Sequence, residues 1–145
     1  FKPVNDQFGH AVGDELLRHL AQRLRNAVRS SDIVCRIGGD EFLVGCPRSN
    51  IHGAARAAEK ILESQQPFLT AQAQPCWDGS LSIGIAEVDA TMLNTEDLLK
   101  RADRALYEAN KKAVGAQWRL DPGAAGGSAL TMAVRSSNDC CQYLV

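Results

Sequence analysis

Gly38 and Gly39 lie between two apolar runs of strand length, "IVCRI" and "FLVG", in the stretch "RIGGDEFLVGC". No other feature constrains the fold as much. Glycines accept backbone angles barred to other residues, so Ile33–Ile37 and Phe42–Gly45 are predicted to fold back as a hairpin. The turn also carries Asp40 and Glu41. Adjacent carboxylates repel each other and add nothing to a turn that the glycines already make, but they suit a hard cation such as Mg²⁺. A plain solvated turn is the competing reading of this window alone.

Around the hairpin the apolar spacing is helical. Val12, Leu16, Leu20, Leu24 and Ala27 recur at three- and four-residue steps, with Leu17, Ala21 and Val28 widening the stripe, which predicts a helix over Ala11–Val28. Ala54, Ala55, Ala58, Ile61 and Leu62 mark a second helix that stops near Pro67. "LSIGIAEV", Leu81–Val88, reads as a strand, and a third helix is predicted from Thr95 to Lys112 with Asn94 as its N-cap. A short last strand is predicted near "AQWRL". This order gives an α+β domain over 1–120, with helices on one face of a mainly antiparallel sheet.

Such a fold normally opens with a strand, and Phe1 stands too close to the first helix for one to precede it. In a split βαβ arrangement that strand pairs near the middle of the sheet, so an unpaired inner edge is expected. Residues 121–145, which open with "DPGAAGGSAL", read as a flexible Gly/Ala-rich tail in which "TMAV" forms at most one turn or a short strand.

The 145 residues are 45% hydrophobic and 23% charged, which fits one globular domain with a sizeable core. A net charge of -1 gives no electrostatic footprint for nucleic acid or for a polybasic membrane contact. Cys35, Cys46, Cys76, Cys140 and Cys141 are odd in number and contain no C-x-x-C pair, so neither a zinc site nor a disulfide framework is indicated. A reducing cytoplasm is expected. No apolar run approaches the about 18 residues of a membrane span. The chain begins at Phe1 rather than at methionine. An N-terminal truncation is expected, and a membrane anchor of the parent protein would lie upstream.

The opening "FKPVNDQFGHAVGD" places Asn5, Asp6, His10 and Asp14 among glycines where a helix begins. Capping and local bonding account for Asp6 and His10. Asn5 and Asp14 together offer what a guanine edge requires: a carboxylate to accept from the ring N–H and the exocyclic amine, and an amide for neighbouring groups.

"FKPVNDQFGHAVGD", "RIGGDEF", "LSIGIA" and "RADRALYEANKK", in this order and spacing, resemble the GGDEF domain of diguanylate cyclases. The resemblance runs from Phe1 to about Leu120. It implies a ferredoxin-like, nucleotidyl cyclase palm lacking its first strand here, and a bacterial second-messenger activity that condenses two GTP into cyclic di-GMP and two pyrophosphates. On the same basis Asn5 and Asp14 read guanine, and Gly38 and Gly39 let phosphates approach the backbone. Asp40 binds Mg²⁺ or Mn²⁺, and Glu41 binds metal and activates the attacking hydroxyl. Two Mg²⁺ ions held by carboxylates are suited to this chemistry, since the ions lower the pKa of the attacking hydroxyl and stabilise the leaving pyrophosphate. Each domain holds one GTP, so the implied working unit is a homodimer joined through the active-site face.

"RSSD", Arg29–Asp32, matches the family's inhibitory RxxD site by its offset from the turn, with Lys60 as a secondary contact for cyclic di-GMP. Two departures stand out. The family's first-strand metal aspartate would precede Phe1, so the chain alone is expected to lack one ligand. Asn110 and Val114 occupy the positions of a lysine and an arginine that grip the triphosphate. The alternative implied by these departures is a non-catalytic module that binds GTP or cyclic di-GMP as a sensor.

Overall fold

The computed structural model describes residues 1–89, 91–92, 94–111, 117–121 and 129–136. The chain opens with a helix, α1 (Lys2–Phe8), that the apolar spacing did not reveal; Pro3 lies in its first turn, where a missing N–H costs nothing. Gly9, at φ 86, separates it from α2 (His10–Ala27). The long helix turns Leu16, Leu17, Leu20 and Leu24 inward, following the predicted stripe. α1 packs across α2 at Gly13, where a Cβ would stand 1.9 Å from Asn5 Oδ1.

The hairpin follows as β1 (Ile33–Gly38) and β2 (Glu41–Pro47), paired antiparallel from Ile33 opposite Gly45 to Gly38 opposite Glu41. Then come α3 (Ile51–Glu63), a two-stranded ladder of β3 (Phe68–Leu69) and β4 (Pro75–Trp77), β5 (Leu81–Glu87), α4 (Thr95–Lys111) and β6 (Gln117–Leu120). Asn50 caps α3 by accepting from Gly53 N–H at 3.0 Å, and Asn94 accepts from Asp97 N–H at 3.1 Å, as expected of a cap.

The last strand, β7 (Ala129–Ser136), corrects the reading of the C-terminal residues as a tail throughout. It occupies the middle of the main sheet, whose order is β1-β2-β7-β5-β6. β7 is antiparallel to both neighbours, with Val134 opposite Phe42 on one side and Ile83 on the other. The expected unpaired inner edge is therefore filled. Met132 and Val134 are fully buried and Ala133 nearly so, and this burial with two complete ladders outweighs the glycine-rich context that suggested disorder. Asp121 is likewise only 1% exposed, and its N–H donates to Ile85 O at 2.8 Å.

The helices cover both faces of the sheet rather than one. Leu81, Ile83 and Ile85 of β5 join Phe42, Val44, Met132 and Val134 in the larger core with the leucines of α2 and with Ala54, Ala58 and Ile61 of α3. Ala86 and Ala133, on the opposite face, pack with Ala102 and Leu106 of α4. Alternation along a strand sends successive side chains to opposite faces, so a strand buried at every position needs a helix on each.

Candidate functional site

The hairpin turn is shaped by its glycines in two different ways. Gly39 has φ 42, in the left-handed region where a side chain is strained. Gly38 has no such requirement, and a Cβ there would meet nothing within 4 Å. Its surroundings are open, which leaves the backbone accessible to an approaching group. Arg36 Nε donates to Gly39 O at 2.8 Å and ties the turn to the strand that enters it.

Asp40 and Glu41 are half-buried, and β7 engages both. Arg135, paired across the sheet with Glu41, forms an ion pair between its Nη2 and Glu41 Oε1. Ser136 Oγ donates to Asp40 Oδ2. Two neighbouring carboxylates are the right hard donors for a divalent cation, but a guanidinium already holds one of them. Among the described residues no group of three or more His, Cys, Asp or Glu side chains comes together to hold a metal. As arranged, the donor set does not fit a resident divalent cation.

Beside the turn, α2 and the hairpin enclose an open cleft of about 430 Å³, lined by Asp14, Leu17, Arg18, Val34, Arg36 and Phe42 among others. Arg36 and Phe42 flank the turn in sequence, so the cleft runs from the exposed carboxylate of Asp14 toward the glycines. Arg18 stands one helical turn after Asp14 on the same face, a signal present in the i, i+4 spacing that sequence reading passed over. Asn5 is not among the residues lining the cleft. It stands against Gly13, next to Asp14, and its Oδ1 is buried without a hydrogen-bond partner. The amide thus keeps unused polar capacity.

Arg29, Asp32 and Lys60 come together, as their pattern suggested, around a second cavity of about 210 Å³ between the end of α2 and α3. Arg56 joins them and adds a third cation; it precedes Lys60 by four residues on α3, so this partner too was legible in helical spacing. Asp32 is only 6% exposed, and its Oδ2 accepts from Arg29 N–H at 2.9 Å while its own N–H donates to Arg29 O at 3.0 Å. The RxxD pattern is therefore a closed turn that leaves the Arg29 side chain exposed. Cys46 lines the same cavity, and burial, reinforced by the Asp32 carboxylate, pushes its thiol up to about 11. Of the two positions that depart from the family's triphosphate grip, Asn110 falls in the last turn of α4 and Val114 lies outside the described residues.

These elements define an α+β domain with an open cleft beside a glycine and acid turn. The model of the family "Diguanylate cyclase, GGDEF domain" matches residues 1–115, and the chain belongs to this family. It is 42% identical over 111 residues to the response regulator PleD of Caulobacter vibrioides, covering 75% of this chain and 24% of that protein. It is 39% identical over 118 residues to the diguanylate cyclase TpbB of Pseudomonas aeruginosa, covering 81% of this chain and 27% of that protein. The chain thus spans about a quarter of the length of these relatives. The crystal structure of the TpbB GGDEF domain superposes with a TM-score of 0.73 at 38% identity, covering 83% of this chain and 74% of that one.

Proposed function

We propose that this domain is a diguanylate cyclase module that joins two GTP molecules into cyclic di-GMP and releases two pyrophosphates. The observation that carries this reading is the position of Asp14 in a cleft that leads to Arg36 and Phe42, on either side of the turn with the open Gly38. A carboxylate accepts from the ring N–H and exocyclic amine of guanine, a pair that adenine does not present, and Asn5 lies next to Asp14's neighbour with an unspent amide. Arg18 and Arg36 supply guanidinium groups suited to phosphate oxygens. Gly38 lets those oxygens reach the backbone, and Glu41 is the acid that this reading assigns to take the proton of the attacking 3′-hydroxyl.

Each domain has one such cleft, so two domains facing each other bring both GTP molecules together, and the working unit is a homodimer. By family resemblance Mg²⁺ or Mn²⁺ belongs to this reading, with Asp40 and Glu41 as its assigned donors, and no step is derived through it because Arg135 holds Glu41. The cavity with Arg29, Asp32, Arg56 and Lys60 takes the product and gives feedback, because its three basic side chains outnumber its one acid and suit a dinucleotide's two phosphates. No helix among the described residues is long and apolar enough to cross a membrane. A consumer of GTP belongs in the cytoplasm.

Calorimetry with GTP and ATP tests the base-reading role, and mass spectrometry of the reaction products tests the chemistry. GTP should bind at least tenfold more tightly than ATP, and Asp14→Ala should remove the preference. Equal affinity for the two nucleotides would refute the assignment of Asp14. GTP binding without any cyclic di-GMP would leave a sensor module in place of the enzyme.

A further inference from the structure

Arg23 fastens α2 to the C-terminal end of α3. Its Nη1 donates to Ser64 O, its Nη2 donates to Gln66 Oε1 at 3.3 Å, and its Nε donates to His19 Nε2 at 2.7 Å. The last contact fixes the state of the imidazole. A guanidinium has only donors, so His19 Nε2 must be the acceptor, and the ring is neutral with its proton on Nδ1. The ring also packs against Phe68 of β3, with centroids 5.1 Å apart.

His19 and Arg23 line a cavity of about 440 Å³ between α2 and the end of α3, together with Lys60, Ser64 and Gln66. The groups around the ring are therefore Glu15 and Arg23 on α2, Lys60 on α3, the uncharged Ser64 and Gln66 after it, and Phe68 on β3. Burial first, and then Arg23, lower the pKa of His19 from its ordinary 6.5, with Glu15 opposing them. We propose that His19 and Arg23 form an acid-released latch: the neutral imidazole holds the guanidinium that fastens α3 to α2, and protonation of Nε2 sets donor against donor and frees it. Two cations in direct contact also repel each other. Release reaches the second cavity, because Lys60 lines both cavities and Arg56 stands one turn before it on α3. The latch involves no nucleotide and no metal, so it stands apart from the cyclase reading.

The test is NMR of the 145-residue protein from about pH 8 to about pH 5, the range in which histidine changes charge. Nε2 of His19 should be unprotonated at the upper end, and the ring should titrate with a midpoint below 6.5. The Nε–H resonance of Arg23 and the amides of Ser64, Gln65 and Gln66 should shift with that same midpoint. A midpoint at or above 6.5 overturns the proposal, and so does a titration that leaves Arg23 and those amides unmoved. His19→Gln offers a side-chain oxygen as acceptor and does not titrate, so in this variant the three amides should stop responding. Unfolded, the ring takes up its proton near 6.5, and folded only at lower pH. The latch's contribution to stability is thus complete above 6.5 and is lost as pH falls through the folded value. The urea midpoint of the unaltered protein should accordingly fall over that range relative to His19→Gln, and parallel profiles overturn the proposal. Should His19→Gln fail to fold, the titration of the unaltered protein decides alone.

Discussion

Gly84 of β5 lies directly beneath Ala102 of α4: a Cβ at residue 84 would stand 2.2 Å from Ala102 O and 2.3 Å from Leu106 N. Both obstacles are backbone, so neither can turn aside as a side chain would. Gly84→Ala should therefore push α4 off the sheet and cost more than about 3 kcal/mol, above the usual range for overpacking a core. Urea denaturation checks this through the midpoint. A variant that unfolds at the parental midpoint would show that β5 and α4 are not in backbone contact.

Asp121 is buried beneath two arginines of α4. Its Oδ1 accepts from Arg104 Nη2, its Oδ2 lies 3.8 Å from Arg101 Nη1, and Arg101 also reaches Asp89 Oδ2 at 2.5 Å. Asp121→Asn keeps the shape and removes the charge, and it should cost about 1.5 to 3 kcal/mol, the worth of a hydrogen bond to a charged group. Thermal unfolding of the two proteins at equal ionic strength would detect it. An unchanged transition would mean that this end of β6 is not fastened to α4.

The thiol of Cys46 gives a pH dependence with a definite sign. Its ordinary value of 9.0 is raised to about 11 in the folded state, first by burial and then by Asp32. The unfolded chain therefore loses this proton at lower pH than the folded one does. The associated stability is complete below pH 9.0 and is lost as pH rises through about 11, a change of about 3 kcal/mol by linkage. Denaturation curves of the parent and of Cys46→Ala between those limits separate this thiol from other groups. If the difference between the two proteins stays constant across the range, the buried thiol is not the titrating group.

Much of the fold was legible because its signals are local. The leucines of α2, the apolar runs around Gly38 and Gly39 and the apolar run of β5 each specify an element from a window of a few residues. β3 and β4 escaped because two and three residues carry no readable period. α4's place on its own face was hidden for a different reason: Gly84 and Ala86 read as small residues, and only the assembled sheet shows that they face a helix. β7 is the largest departure, since nothing near Met132 announces that residues 41 and 135 will pair. The site divides along the same line. Asp14, Gly38, Asp40, Glu41, Arg29 and Asp32 stand in short motifs, and Arg18 and Arg56 follow from helical spacing, whereas Arg135 and Ser136 reach the turn through a long-range ladder.

The two turn glycines should separate under substitution. Gly39→Ala places a side chain at φ 42 and should cost about 1 kcal/mol or more of stability. Gly38→Ala meets nothing in the folded chain and should leave stability within about 0.5 kcal/mol of the parent. If phosphates approach the backbone there, the same change should lower GTP affinity several-fold. Denaturation and calorimetry on both variants would show the separation. A stable Gly38→Ala protein with parental GTP affinity would make the open space incidental.

The polar residues of the cavity between α2 and α3 differ in how much they give to the fold. Asp32 is buried and closes a reciprocal turn with the backbone of Arg29, so its replacement by alanine should destabilise the domain as well as alter the cavity. Arg29 and Arg56 are exposed, and their side chains are free to meet a ligand without disturbing the core. If the cavity takes cyclic di-GMP, a charge-assisted contact to phosphate is worth about 1.5 to 3 kcal/mol, so Arg29→Ala should weaken the product by roughly 10- to 100-fold. Arg56→Ala should act in the same direction, since Arg56 and Lys60 stand one turn apart on the wall facing Arg29. Neither change should move GTP affinity, because the cleft beside Asp14 is lined by other residues. Calorimetry with both ligands on the parent and each variant decides it. Parental affinity for cyclic di-GMP in both variants would reduce the arginines to solvated surface and leave Asp32 as the closing residue of a turn.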